Sequence, residues 1–492
     1  MTTHLIEVIK VNESYMLVDA PSGVKDELHD FFSFYMDGYK FSPAYKHHLW
    51  DGKVRLYNRQ NKQLFVGLLP YVQSFAEERE YILNVDSSLT EKTKVSFDEV
   101  SEFLKQLKLD LTPRDYQINA VRHALENKRS LILSPTSSGK SLIIYSILRY
   151  LQEYMNDFNA LLVVPTVGLV EQMSSDFLDY SKNDNTFDES NIHKIYQGQS
   201  KNTKKTITIS TWQSLQNLPK EFFSQYTVII GDEAHLCKAK SLTKIISACS
   251  NAPYRIGTTG TLDNKKVHRL ALEGMFGSVF QTITTEKLIS RGEAAFLKIN
   301  CILLQYSDTE RNQNKKLTWR EEVTWLLANE RRNALISKMA VKTTGNTLVM
   351  IEYIAHGKHL FKEIQSMVPK SRKVYYIAGE TTPEVREKTR FLVEKEKDAI
   401  IIASVKVFSH GVNIQNLDNI IFTTPTKSRI RTLQSIGRSL RIGRNKEATL
   451  YDVVDDMCWK KSHKNYTFQH FMERLNMYIE EKHPYKLFKI NL

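Results

Sequence analysis

Eight short apolar runs recur along the chain with helical stretches between them: SLILSP, ALLVVPT, YTVIIGDEAH and YRIGTTG, then NTLVMIEY, KVYYIAGE, DAIIIASV and DNIIFTTP. They are rich in Val and Ile and apolar on consecutive residues, the pattern of strands buried on both faces. Parallel strands need crossover connections, and the segment 141–154, SLIIYSILRYLQEY, returns an apolar residue every three or four positions as a crossover helix does. The alternation specifies an α/β architecture built on parallel sheet. It is interrupted between about residues 290 and 345 by a more charged, helical segment, so we read two α/β lobes with a boundary near 295. The first hundred residues differ, with short strands, a helix expected over about 25–36 and no nucleotide-binding loop; they predict a small α+β domain. A chain of 492 residues is too long for one core. The expected division is 1–105, 106–295, and 296–492 with a carboxyl-terminal extension.

Charge narrows the partner. Lys and Arg number 68 against 55 Asp and Glu, a net +13, which favours a polyanion, with nucleic acid the leading candidate. The four cysteines, Cys237, Cys249, Cys301 and Cys458, lie far apart with no C-x-x-C, so neither a zinc cluster nor a disulfide framework is indicated. No apolar run is long enough to cross a bilayer, and the amino terminus lacks the layout of a secretory signal. A cytoplasmic protein is expected.

Chemistry first shows in SPTSSGKS, residues 134–141, between a strand and a helix. The stretch fits G-x-x-x-x-G-K-[ST] except that Ser134 stands where the first glycine belongs. Small residues (Pro135, Thr136, Ser137, Ser138, Gly139) let backbone amides approach phosphate oxygens, the helix directs its positive end at them, and Lys140 adds a point charge. Ser141 would hold Mg²⁺. Taken alone, the stretch also fits an ordinary strand-to-helix turn. Downstream, TVIIGDEAH places Asp232 and Glu233 together at the carboxyl end of a buried strand. Two adjacent carboxylates repel each other there unless a divalent cation and a polarised water occupy the crevice. Asp232 would bind Mg²⁺ through its waters and Glu233 would orient and deprotonate the attacking water of ATP hydrolysis. A bare D-E pair is often only a capped strand end; beside a G-K-S loop that alternative loses its weight. His235 is either a surface histidine or a link to TTGTL, residues 258–262, through Thr259 and Thr261.

RDYQ at 114–117, SPTSSGKS, VVPTVGLVEQ at 163–172, STWQSL at 210–215, DEAH, TTGTL, ASVKVFSHGVN at 403–413 and QSIGRSLR at 434–441 occur in the order expected of superfamily 2 helicases, which the chain resembles. The stretch DFFSFYMDGYKFSPAYKHHLWDGKVRL further resembles the small domain ahead of the motor in phage recombination and repair helicases of the UvsW type. The resemblance implies two RecA-like lobes and an ATP-dependent motor on DNA. It places Gln117, with Arg114 or Tyr116, where the family reads adenine. It puts Pro165, Thr166, Thr211 and Trp212 of the first lobe, and Ser404 with Gly411 of the second, against the strand's phosphates. Asn413 stands where many relatives carry an acid, which leaves the coupling of the second lobe to ATP open.

In QSIGRSLR, Arg438 and Arg441 share one helical face behind Gln434, with no carboxylate among the eight residues. They are either a solvated basic face or, as the resemblance implies, arginine fingers that meet the γ-phosphate when two lobes close on ATP. Residues 40–62 carry six Lys or Arg against one Asp, with Tyr45, Trp50 and Tyr57 interleaved. Either the aromatics are core and the lysines a solvated face, or Trp50, Lys53 and Arg55 hold DNA. The basic, aromatic tail from Lys460 reads as a closing amphipathic helix and strand. The resemblance implies branched substrates, namely stalled forks, Holliday junctions and RNA–DNA loops, and a monomer or weak oligomer is expected. An RNA helicase and an ATP-gated DNA clamp that separates no strands are the alternatives.

Overall fold

The computed structural model of the chain describes residues 4–492 except 37, 136–137, 197–203, 237–238, 263–265, 294–295, 380, 382, 406–415, 425–446, 460–463 and 481–482. It divides into two compact units, one of residues 1–134 and 138–283, the other of residues 284–492 with 135–137.

The first unit holds a small domain and an α/β lobe. The lobe is a seven-stranded sheet in the order Val279–Gln281, Arg129–Leu133, Tyr254–Thr259, Val228–Asp232, Ala160–Val164, Ile207–Thr211, Ile192–Ile195, with every pairing parallel. Strand Ala160–Val164 is buried at all five positions, as its unbroken apolar run requires. All strands run the same way, so Leu133, Val164, Thr211, Asp232 and Thr259 end at one edge of the sheet. Each motif of this lobe begins at that edge, where open α/β sheets bind ligands.

The small domain is a four-stranded sheet, Gln63–Phe65, Tyr15–Asp19, Leu5–Lys10 and Ile82–Val85 in that order, backed by helices Ser22–Phe31 and Leu69–Glu78. The expected helix over 25–36 stops at Phe31, and residues Ser33–Tyr35 pair instead with Lys53–Arg55 as a two-stranded ribbon. Phe32 still donates its amide to the Leu28 carbonyl at 3.0 Å and extends the buried face of Val24 and Leu28; from Ser33 onward the backbone bonds to the ribbon partner instead. The domain is seated on the lobe. Arg255, almost fully buried, donates to the Ser14 hydroxyl (2.8 Å) and to the carbonyls of Ile246 (3.0 Å) and Ala252 (3.1 Å). Burial lowers its guanidinium pKa to about 9. Glu13 pairs with Arg129 at 2.7 Å. At Gly67 a Cβ would lie 2.0 Å from the Glu273 carbonyl oxygen, so the close approach of this loop to helix Lys266–Phe276 needs a glycine.

The second unit is another seven-stranded parallel sheet, Val374–Ile377, Ile400–Ser404, Thr347–Ile351, Asn419–Phe422, Glu447–Asp456, Phe296–Gln305, Tyr485–Asn491. The segment expected to be helical from about 290 opens instead with the ten-residue strand Phe296–Gln305 and turns helical at Asp308. Its core includes buried ion pairs, Arg332 with Asp455 (2.8 Å) and Arg474 with Asp452 (2.8 Å), whose charges compensate one another out of water.

Two histidines of this unit are buried neutral. Burial lowers His356 to about 3 and His483 to about 4. An unfolded histidine titrates near 6.5, so below that pH the unfolded chain takes up protons the folded unit refuses. The stability they contribute is complete above about pH 6.5 and is lost toward the folded values, at about 1.4 kcal/mol per pH unit per histidine. The Tm of this unit is therefore expected to fall between pH 6.5 and 5, and His356→Gln to flatten that fall. An identical fall in the variant would contradict the assignment.

Candidate active site

The loop after strand Arg129–Leu133 is built around buried hydroxyls. Ser134, where a glycine is usual, is fully buried; its Oγ lies 2.6 Å from Ser138 Oγ and accepts from Thr282 Oγ1 at 3.0 Å. The serine braces the loop through atoms a glycine lacks. Gly139 has φ +81°, and a Cβ on it would lie 2.3 Å from Gln117 Nε2. Gln117 is tied to the same loop: its Nε2 donates to the Ser138 carbonyl at 2.8 Å, while its Oε1 accepts from the Arg114 backbone amide at 2.8 Å. Tyr116 donates to the Ser138 carbonyl at 3.1 Å and accepts from Arg114 Nη1 at 2.8 Å. The structure thus brings RDYQ onto the back of the loop. The helix Lys140–Tyr154 starts there, and Ser141 Oγ lies 3.2 Å from Tyr180 Oη.

Gly139→Ala is expected to weaken ATP binding without unfolding the lobe. A non-glycine residue held at that φ costs about 1–3 kcal/mol, and Gln117 has to move as well. If the loop relaxes and ATP must restore it, affinity falls about 5- to 150-fold. Titration with a fluorescent ATP analogue measures it; unchanged affinity would show that the loop tolerates the side chain.

Lys140 Nζ sits 3.4 Å from Glu233 Oε1 and 3.5 Å from the Ser134 carbonyl oxygen. Asp232 is buried and accepts from Thr258 Oγ1 at 2.6 Å. Burial first, and the neighbouring Glu233 charge second, raise its pKa to about 6. Burial also pushes Glu233 up, but Lys140 and His235 outweigh it and hold that carboxyl below its ordinary value. One member of the pair is a stable anion and the other awaits a cation. Glu233 adopts φ +46°, an uncommon backbone region for a non-glycine residue, and its Oε2 has no hydrogen-bond partner among the described residues. A buried carboxylate oxygen without a donor, beside an aspartate destabilised by its neighbour, suits a divalent cation and a water. The hard oxygen donors of Ser141 and Asp232 fit Mg²⁺.

His235 is not a surface histidine. It is buried, with Nδ1 2.5 Å from Thr259 Oγ1 and 3.5 Å from Glu233 Oε2. Thr259 Oγ1 in turn donates to the Thr261 carbonyl at 2.7 Å, so the acid pair and TTGTL form one bonded cluster. Thr258, Thr282 and Tyr180 also support the site and were not singled out in the sequence. Thr258 lies within the quoted TTGTL; the other two carry no local signal.

Among the residues expected against DNA, Thr166 caps helix Val167–Tyr180 through Leu169 N (3.3 Å), and the Pro165 carbonyl accepts from Gln213 Nε2 (3.3 Å). Thr211 is buried with its hydroxyl 3.0 Å from Ser214 Oγ, and Trp212 is half-buried at the start of a short helix. Ser404 is buried at the end of its strand. In the small domain Trp50 is half-buried with Nε1 donating to the Lys53 carbonyl at 2.8 Å, Arg55 pairs with Asp51 and reaches His29 Nε2 at 3.0 Å, and Tyr57 is core. Tyr57 therefore belongs to the domain core. Thr136, Ser137, Gly411, Asn413, Gln434, Arg438 and Arg441 lie outside the described residues.

Known proteins match nearly the whole chain. Residues 6–86 match the amino-terminal domain of the DNA helicase UvsW, residues 110–264 the res subunit of type III restriction enzymes, and residues 330–443 the helicase conserved carboxyl-terminal domain. The ATP-dependent DNA helicase uvsW of Enterobacteria phage T4 is 35% identical over 503 residues, spanning 97% of this chain and 98% of that protein. The DNA 3'-5' translocase XPB2 of Sulfurisphaera tokodaii is 24% identical, spanning 77% of this chain and 89% of its own length. The crystal structure of T4 UvsW superposes with a TM-score of 0.53 at 33% identity over 99% of both chains. A fragment of a putative HsdR subunit of a type I restriction enzyme from Vibrio vulnificus superposes at 0.58 with 19% identity, covering 80% of this chain and 72% of its own, a likeness of fold.

Proposed function

Because the chain belongs to the UvsW family of superfamily 2 DNA helicases, we propose that it spends ATP to remodel branched DNA, regressing forks, migrating four-way junctions and unwinding RNA–DNA loops in recombination, repair and replication. It is an ATP-dependent DNA helicase, and it acts on DNA. The observation that carries the ATP site is the contact of Lys140 with Glu233 beside a buried Asp232, on a loop whose Gly139 admits no side chain.

In this reading the amides of Ser138 and Gly139, with Lys140, hold the phosphates, and Gln117 with Arg114 and Tyr116 borders the base. Ser141 and Asp232 would hold Mg²⁺, which neutralises charge on the phosphate oxygens when bound. Glu233, kept ionised by Lys140, accepts the proton of the attacking water. Arg438 and Arg441 meet the charge that develops on the transferred phosphoryl group, with Gln434 beside them. His235, Thr259 and Thr261 connect the acid pair to the strand-binding surface, with Gly411 and Asn413 acting from the second lobe. Pro165, Thr166, Thr211, Trp212 and Ser404 line the DNA path. Residues 1–105 form the DNA-binding domain, 106–295 the ATP-binding lobe and 296–492 the second lobe. The protein works in the cytoplasm, that of the host if it is phage-encoded, as a monomer or weak oligomer. No helix among the described residues is long and apolar enough to cross a membrane.

ATP hydrolysis with forks, four-way junctions, linear duplexes and RNA duplexes tests the substrate reading. Stimulation should be greatest with the branched DNA. Equal or greater stimulation by RNA duplex would replace it with an RNA helicase.

A further inference from the structure

The ribbon Ser33–Tyr35/Lys53–Arg55 of the small domain faces the first lobe across a cavity of about 1750 Å³, well above the 300–1,000 Å³ usual for small-molecule sites. Its volume suits a segment of polymer. The charged residues of the lining are mainly basic: Lys53, Arg55, Lys220, Lys244 and Lys266 against one acid, Glu221. Arg55 is paired with Asp51, whereas the four lysines have no ion pair among the described residues. They come from separate elements of the ribbon and the lobe, so their positive field is an outcome of the fold and of no single run of sequence.

Aromatic rings accompany the charges. Lys266 Nζ lies 5.0 Å from the Phe34 ring centroid and Lys53 Nζ lies 5.2 Å from that of Tyr35. Tyr35 is 54% exposed and stacks on Tyr39 with ring centroids 4.6 Å apart. The floor is apolar, from Leu215, Phe223 and Ile245. A DNA duplex hides its base faces and offers only phosphates to such a surface. A single strand offers both phosphates for the lysines and faces for the rings. The lobe wall of the cavity begins at Leu215, the last residue of the helix opened by Trp212, so it continues from the residues assigned above to the DNA path.

We propose that this cavity is a binding site for single-stranded DNA, with Lys220, Lys266 and Lys53 on phosphates and Tyr35 under a base. It rests on the reading of the chain as a DNA motor and adds a second strand-binding site, shared by the small domain and the first lobe.

The test is binding of labelled oligo(dT) to the full chain without nucleotide, by fluorescence anisotropy across a salt series. Lys220 and Lys266 are exposed, so Lys220→Ala/Lys266→Ala leaves the core intact, and thermal melting checks this. Each phosphate contact on a single strand contributes a slope of about −0.7 in log affinity against log salt, so the double variant should flatten the slope by roughly 1.4 units. Tyr35→Ala should weaken oligo(dT) binding roughly 5- to 150-fold with the slope kept. An unchanged slope in the double variant, or equal losses for oligo(dT) and blunt duplex, would overturn the site. Tighter wild-type binding to polyglutamate than to oligo(dT), lost in the double variant, would overturn it in favour of an acidic protein segment. Failure of the motor reading shows separately, as wild-type protein whose ATP hydrolysis no DNA stimulates.

Discussion

Glu233→Gln is expected to lower kcat for ATP hydrolysis about 10²- to 10⁴-fold, the usual contribution of a positioned general base, while ATP stays bound. Glutamine keeps the size and an oxygen for Lys140 Nζ, 3.4 Å away, but cannot take a proton from water. It also removes the neighbouring charge that helps to raise Asp232, so the cation site is kept or improved. Lys140→Ala acts in the opposite way. With the ammonium gone, Asp232 and Glu233 face each other without a counter-charge, and phosphate loses its point charge. ATP binding and hydrolysis should both go, with most DNA binding retained. Retention of radiolabelled ATP after rapid desalting, with single-turnover hydrolysis, separates the two variants. Near wild-type turnover in either would remove the site assignment.

Arg441→Ala is expected to lower kcat by roughly 10³- to 10⁵-fold, about 4 to 7 kcal/mol of barrier, if it serves as an arginine finger. A finger meets charge that exists only in the transition state, so ATP affinity and thermal stability should change little. Steady-state kinetics beside nucleotide titration and a melting curve measure the three quantities. A fall of less than about tenfold, around 1.4 kcal/mol, would return QSIGRSLR to a basic solvated face.

Much of the architecture is legible in the chain because central parallel strands are buried on both faces. ALLVV and DAIIIAS show it directly, with each residue of Ala160–Val164 and Ile400–Ser404 buried. Strands with polar residues in their apolar run hide. The edge strand Ile192–Ile195 interposes His and Lys, and the interior strand Phe296–Gln305 places exposed Lys298 between buried Leu297 and Ile299, so it merges with the charged helices that follow. The site divides along the same line. The phosphate loop and the acid pair are contiguous and readable, whereas Thr282 reaches Ser134 from 148 residues away through strand order alone. Ser134 reads as a departure in the sequence and as a brace in the fold. Trp50 shows the converse limit: a basic, aromatic composition marks the ring as a candidate for DNA but does not reveal the bond that its Nε1 makes to the Lys53 carbonyl within the domain.

The central claim, that ATP hydrolysis at Lys140, Asp232 and Glu233 drives strand separation on branched DNA, is tested most directly by release of a labelled strand from a synthetic fork. Wild-type protein with ATP and Mg²⁺ should release the strand faster than from a blunt duplex of equal length, and Glu233→Gln should bind the fork and release none. Release at the same rate by Glu233→Gln, or ATP hydrolysis on forks with no strand released by the wild type, would contradict it; the latter is the behaviour of an ATP-gated clamp.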